Sequence, residues 1–154
     1  MMLIILDKNP LKSAELVPDK IKFKQLIELG QLICSAGISD VYKPIKQGKE
    51  LQKWVIKNAR WVLAYYNALL LHCIKSYNLK FQTTLDLTDI FVHLQEYCET
   101  NKLKRKDINS AIFRYVQEYN CDIPSKTELP IDECIQEYEK YVQWKGKKWG
   151  VVND

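Results

Sequence analysis

The chain has 154 residues and a mass of 18.1 kDa, which is the size of one ordinary domain. Apolar residues make up 47% of it and charged residues 27%, a composition that excludes an intrinsically disordered chain. The formal net charge is +4, and the excess of lysine and arginine lies in residues 1–61, which favours an anionic partner. No apolar stretch approaches the roughly 18 residues of a membrane span, so we expect a cytoplasmic protein with no membrane partner.

Cysteine and histidine usage bears on the metal and cofactor chemistry of the chain. The sequence has 5 cysteines, spread singly, and 2 histidines, with no C-x-x-C spacing. Separate cysteines without a signal segment indicate reduced thiols in the cytosol. We therefore predict no metal site, and the absence of glycine-rich phosphate loops predicts no cofactor.

Apolar periodicity predicts a single all-α domain over residues 1–154. The apolar start, Met1–Leu6, is predicted to be a short extended segment, either a strand or an arm. Asn9-Pro10 then begins a short helix that stops at Leu16, before Pro18. Asp19 begins the next helix, which runs to about Ala36 and is ended by Gly37.

The longest helical pattern runs from about Lys49 to Tyr77 and predicts one long central helix. Its core face carries apolar residues at helical spacing throughout, from Leu51 to Cys73. Three shorter helices are predicted to follow, over Leu87–Thr100, Lys106–Tyr119 and Pro130–Trp144.

Polar side chains form a stripe along the helix that begins at Asp19. They recur every three or four residues, and so share one helix face: Lys20, Lys24, Glu28, Gln31 and Ser35. A carboxylate held among amines and an amide suits general acid–base or electrostatic chemistry. The same pattern also fits a solvated face with an ordinary Lys–Glu pair, and the stripe alone does not separate these interpretations.

A second stripe lies on the long helix and combines aromatic residues with cations. It consists of Trp54, Asn58, Trp61 and Tyr65, flanked by Lys53, Lys57 and Arg60. Aromatic rings beside cations favour base stacking with phosphate contact. Buried aromatics with lysine stems that reach solvent give the same pattern. Core packing is favoured for Trp61 and Tyr65, whereas Trp54 remains a candidate for stacking.

Two further basic clusters lie nearer the end of the sequence. The first is the run Lys102, Lys104, Arg105 and Lys106. In the second, Lys145 and Lys147 stand between Trp144 and Trp149. Two tryptophans beside lysines favour either stacking on a nucleic-acid base or packing back onto the helical core.

The order of these motifs resembles a known family. The run Leu6-Asp7, then Asp19–Glu28 with Gln31-Leu32, is similar to the start of pyrimidine-dimer DNA glycosylases of the endonuclease V type and their phage and large-virus relatives. The match continues in order over most of the chain, through Tyr42-Lys43-Pro44, Asn58-x-x-Trp61 and Tyr138-x-x-Tyr141-x-x-Trp144-Lys145.

This resemblance implies a compact helical DNA-repair fold whose partner is double-stranded DNA. It implies a glycosylase with lyase activity, in which an N-terminal amine attacks the sugar C1′ and a helix-borne glutamate supports the chemistry. Here these would be Met1, since the bulky Met2 disfavours removal of Met1, and Glu28. A viral relative would act in the host cytoplasm or lie in the virion. The residues expected to contact DNA are Lys20, Lys24, Gln31, Lys43, Lys53, Trp54, Lys57, Asn58, Arg60, Trp144, Lys145, Lys147 and Trp149.

Departures from the family pattern leave a second hypothesis open. Ile21 stands where phage members usually have a histidine, and Ile45–Gly48 lacks the histidines typical after Tyr-Lys-Pro. The alternative is therefore a catalytically inactive viral or phage protein that kept the fold and binds DNA or serves a structural role.

Overall fold

A computed structural model describes residues 3–45 and 48–104, and within these ranges the chain is all-α, with five helices and no strand. The all-α class predicted from the sequence is thereby confirmed, and the predicted helices over Lys106–Tyr119 and Pro130–Trp144 lie outside the described residues. The helices are α1 (Pro10–Leu16), α2 (Asp19–Ser35), α3 (Lys49–Lys57), α4 (Ala59–Ser76) and α5 (Phe81–Thr100).

The first helix begins where its capping residues predict. The Asn9 side chain accepts hydrogen bonds from the backbone N–H groups of Leu11, at 3.0 Å, and Lys12, at 3.2 Å. Pro10 occupies the first helical position, where its missing N–H costs nothing. Local sequence therefore fixes the start of α1.

The end of α2 also follows from local sequence. The helix ends at Ser35, Ala36 is its C-cap, and Gly37 has a φ of 84°. This left-handed conformation suits glycine, because a β-carbon would meet the backbone there. The predicted stop at Gly37 is confirmed.

The structure divides the predicted long helix of residues 49–77 at Asn58. Asn58 has φ −116° and ψ 29°, outside the helical region, and its side-chain amide donates to the carbonyl of Trp54 at 2.9 Å. An asparagine side chain can compete with the backbone in this way, because it offers local hydrogen bonds that a regular helix does not need. The single-helix prediction is wrong at this point, and α3 and α4 are separate helices that both pack against α2.

Helix α4 lies at the centre of the described part of the chain and contacts each of the other four helices. Its three large aromatic residues, Trp61, Tyr65 and Tyr66, are completely or almost completely buried. The N-terminal segment, residues 3–8, has no helix or strand, and Leu3–Leu6 is buried against this core. The predicted extended start is thereby confirmed from Leu3 onward.

Helix α5 begins at Phe81, six residues before the predicted Leu87. Its first turns expose Phe81 and Gln82 to solvent, so no apolar periodicity marks them in the sequence. Within the described ranges, no helix combines the length and the hydropathy that crossing a bilayer requires.

We expect Gly37→Ala to lower the free energy of unfolding by about 1 kcal/mol, because an alanine is strained at positive φ. Apart from the adjoining peptide groups, an added β-carbon would meet nothing within 4 Å, so the cost is one of backbone conformation alone. Gly37→Asn, which tolerates this conformation, should lose less. Urea unfolding measures both variants, and equal losses would contradict the conformational explanation.

Candidate functional site

The polar stripe of α2 lies at the protein surface. Lys20 and Lys24 are exposed, whereas Glu28 and Gln31 are half-buried. Further along the stripe, the Ser35 hydroxyl accepts a hydrogen bond from the backbone N–H of Ile45 at 2.8 Å. Exposure therefore falls along the stripe, from the exposed amines at its start to the half-buried carboxylate and amide beyond them.

The N-terminal segment passes directly beside this stripe. The backbone N–H of Ile4 donates to the side-chain oxygen of Gln25 on α2. Two residues later, the N–H of Leu6 donates to the Ser13 hydroxyl on α1 at 2.9 Å. Gln25 and Ser13 are 1% and 0% exposed, so these are buried hydrogen bonds to an extended chain.

Two aromatic side chains of α4 hold the same segment from the other side. The Tyr65 hydroxyl donates to the Ile4 carbonyl, and the Trp61 indole N–H donates to the Lys8 carbonyl at 2.8 Å. Burial raises the pKa of the Tyr65 hydroxyl, so it remains a donor throughout the physiological pH range. Both rings belong to the core, as the sequence favours, and both also position the N-terminal segment.

Glu28 lies three residues after Gln25 on α2, and residues at this spacing are neighbours on a helix surface. The start of the described chain is thus fastened next to the half-buried carboxylate. This arrangement can hold a group from the beginning of the chain against an acid–base residue. Met1, the other predicted catalytic residue, lies outside the described residues.

Sequence reasoning missed Gln25 and Ser13, although one signal could have found Gln25. It shares the buried line of α2 with Leu29 and Leu32, at helical spacing. A glutamine on an apolar line needs a buried partner, because an unpaired buried amide costs about 1–3 kcal/mol. The identity of that partner, a backbone N–H 21 residues away, is not a local property of the sequence.

The second predicted stripe is divided between core and surface. Trp54 is 5% exposed and meets Trp61 edge-on, with ring centroids 5.7 Å apart, which favours core packing over base stacking. Lys53 is exposed and pairs with Glu50 at 3.4 Å. The Arg60 guanidinium donates to the carbonyl of Leu103 at 2.9 Å.

Lys57 and Asn58 lie together at the junction of α3 and α4, where they line a small cavity with residues that follow α5. Lys43 lies elsewhere, at the mouth of a cavity of about 760 Å³ formed by the loop after α2. In that cavity the Ser39 hydroxyl and His93 Nδ1 are 2.7 Å apart, a bond that ties the loop to α5. The predicted DNA contacts Trp144, Lys145, Lys147 and Trp149 lie outside the described residues.

Other side chains capable of nucleophilic chemistry are less well placed in the described part of the chain. Cys34, Cys73 and Cys98 are buried free thiols. Burial raises the pKa of the Cys73 thiol to about 11 and raises that of Cys98, so both stay protonated at neutral pH. Among the residues described, no three His, Cys, Asp or Glu side chains are grouped to hold a metal ion.

We expect Tyr65→Phe to lower the free energy of unfolding by about 1–3 kcal/mol, because it leaves the buried Ile4 carbonyl without its donor. Tyr66→Phe is the matched control, since the Tyr66 hydroxyl donates to the Leu87 carbonyl and not to the N-terminal segment. Urea unfolding should show a loss for both variants. Only Tyr65→Phe should open residues 3–6 to limited proteolysis, and equal proteolysis of the two variants would contradict this role of Tyr65.

Comparisons with known proteins were made at three levels, namely family models, curated sequences and solved structures. None of the three finds a match for this chain.

Proposed function

We propose that this protein acts on double-stranded DNA as a glycosylase with lyase activity, with the N-terminal amine as nucleophile and Glu28 as the supporting acid–base residue. The observation that carries the proposal is the buried N-terminal segment. Its backbone is fastened by Gln25, Ser13, Tyr65 and Trp61 beside the helix face that bears Glu28. Such an arrangement holds residues 4–8, a segment near the beginning of the sequence that would otherwise fray.

Covalent geometry supports the pairing of Met1 with Glu28. Met1 is three residues before Ile4, and three residues reach at most about 10 Å. Glu28 is three residues beyond Gln25, the anchor of Ile4, which is about 4.5 Å along the helix axis. The length of chain before Ile4 is therefore sufficient for an amine at Met1 to reach this carboxylate.

The chemistry assigned to these groups is a covalent displacement. The neutral amine attacks the sugar C1′, the glycosidic bond breaks, and its electron pair leaves with the base, which takes up a proton. Loss of a proton from the nitrogen and opening of the sugar ring give an imine between the amine and C1′. The Glu28 carboxyl group moves protons in these steps. β-Elimination then breaks the C3′–O bond and cuts the strand.

Lysines of the α2 stripe support the choice of DNA as partner. Lys20 and Lys24 are exposed one turn apart on the face that carries Glu28. Amines in this position can bind the phosphates that flank a sugar held at Glu28. They position the duplex without reading its sequence, as a lesion-directed enzyme requires.

The alternative is a DNA-binding protein without catalysis, and one observation favours it. Ile21, which replaces the histidine usual in the family it resembles, is 3% exposed and packs in the core. That position is thus structural in this chain and supplies no titratable group. Binding without covalent chemistry is the outcome that distinguishes this alternative.

We expect borohydride to trap a covalent adduct with a duplex that contains an abasic site, because reduction converts the imine to a stable amine. Glu28→Gln should abolish strand cleavage while the free energy of unfolding changes within about 0.5 kcal/mol. Glu15→Gln, an exposed carboxylate on α1, is the control and should cleave normally. Peptide mapping should place the adduct at Met1.

Three outcomes separate the hypotheses. If the Glu28→Gln variant still forms the borohydride-trapped adduct and cuts the strand, Glu28 has no role in the mechanism. Failure of Glu28→Gln to fold identifies a structural carboxylate. Duplex binding by the unmodified protein without any adduct favours the inactive alternative.

We expect duplex binding to weaken steeply with salt, with log K falling against log salt at a slope of roughly −4 to −5 if about five phosphates are neutralised. Lys24→Gln should make the slope shallower by about 0.9, since it removes one contact. Lys12→Gln, on α1, is the control and should leave the slope unchanged. A slope near zero for the unmodified protein would contradict any nucleic-acid function.

A further inference from the structure

A second polar cavity lies away from Glu28, at the junction of α3 and α4. Its volume is about 300 Å³, at the lower end of the range of small-ligand pockets. It is here called the junction pocket and is lined by Lys57, Asn58, Trp61, Lys102, Leu103 and Lys104.

Three lysines converge on the junction pocket from two parts of the chain. Lys57 ends α3, whereas Lys102 and Lys104 follow α5. All three are exposed, and none of them forms an ion pair with a carboxylate in the described ranges. Like charges brought together repel, and a bound anion would relieve this repulsion.

Arg60 fixes the geometry of this convergence. Its Nε donates to the carbonyl of Leu103, which fastens the turn after α5 against the first turn of α4. The two lysines that flank Leu103 in the sequence are thereby held beside the junction. Lys102 and Lys104 thus meet Lys57 of the long-helix stripe at this point, although they are far from it in sequence.

Lys102 occupies a position at which glycine would have a lower conformational free energy. Its φ is 52°, in the left-handed region, and the following N–H, of Leu103, closes the end of α5 on the carbonyl of Cys98 at 2.9 Å. This is the helix-ending geometry in which glycine is most common. A lysine there is strained, but it adds a cation to the pocket.

We propose that the junction pocket binds a phosphate group through Lys57, Lys102 and Lys104. The phosphate can come from a DNA backbone or from a free phosphate ion, and DNA as the source rests on the proposed function. In that case the pocket is a second phosphate contact, separate from the lysines of α2. Lys102 and Lys104 would then belong to the DNA-binding surface, beyond the contacts expected from the sequence.

The test is a titration followed by backbone amide NMR at low ionic strength. Inorganic phosphate is the first probe, and a short unmodified DNA duplex is the second. Both should shift the amide signals of Asn58, Arg60 and Lys102. If only inorganic phosphate shifts these amide signals, the pocket binds free phosphate, and DNA is excluded as the source of the phosphate group.

Lys102→Gly separates binding from stability, because the two should change in opposite directions. Relief of the strained backbone should raise the unfolding temperature by about 2–4 °C. Loss of one charged ligand should weaken phosphate binding about five- to tenfold. Lys104→Gln should weaken it similarly, and Lys75→Gln, at the far end of α4, should leave it unchanged.

Two results would overturn the proposal. One is the absence of amide shifts at the junction with both probes. The other is an equal loss of affinity in Lys75→Gln and Lys102→Gly, which would indicate diffuse surface charge. The borohydride test of Met1 and Glu28 concerns a different site, so failure of the catalytic proposal leaves this test intact.

Discussion

Burial of an extended N-terminal segment is the constraint on which the described structure depends. An extended chain outside a sheet leaves its backbone N–H and C=O groups unpaired, and each such group costs free energy when water is excluded. Here the partners are side chains: Gln25 and Ser13 accept from the segment, while Tyr65 and Trp61 donate to it. Helices α1, α2 and α4 must therefore lie where all four side chains can reach the N-terminal segment.

This constraint links the fold to the proposed chemistry. A terminus that is fastened in the core can present an amine in a fixed position, which a frayed terminus cannot do. The hydrogen bond from Ile4 to Gln25 fastens the segment about one helical turn from Glu28 on the same helix. The lysines assigned to phosphate contacts lie in two places on the surface, Lys20 and Lys24 along α2 and three others at the junction pocket.

Local sequence predicts those parts of the fold that depend on local interactions. Asn9-Pro10 and Gly37 predict a helix start and a helix stop correctly, because capping involves only neighbouring residues. The break at Asn58 is missed because the apolar face continues across it, while the change is confined to the backbone angles and side-chain hydrogen bond of this one residue. The partners of Gln25 and Arg60 are missed for another reason. They are backbone groups 21 and 43 residues away, and only the fold brings them together.

Native-state hydrogen exchange of the Ile4 and Leu6 amides tests the central claim most directly. If the segment is held in the core by Gln25 and Ser13, both amides exchange only when the domain unfolds globally. Their free energies of opening should then equal those of the buried amides of α4 and fall with urea in parallel with them. Exchange at the rate of a frayed chain end, with α4 still protected, would contradict the account.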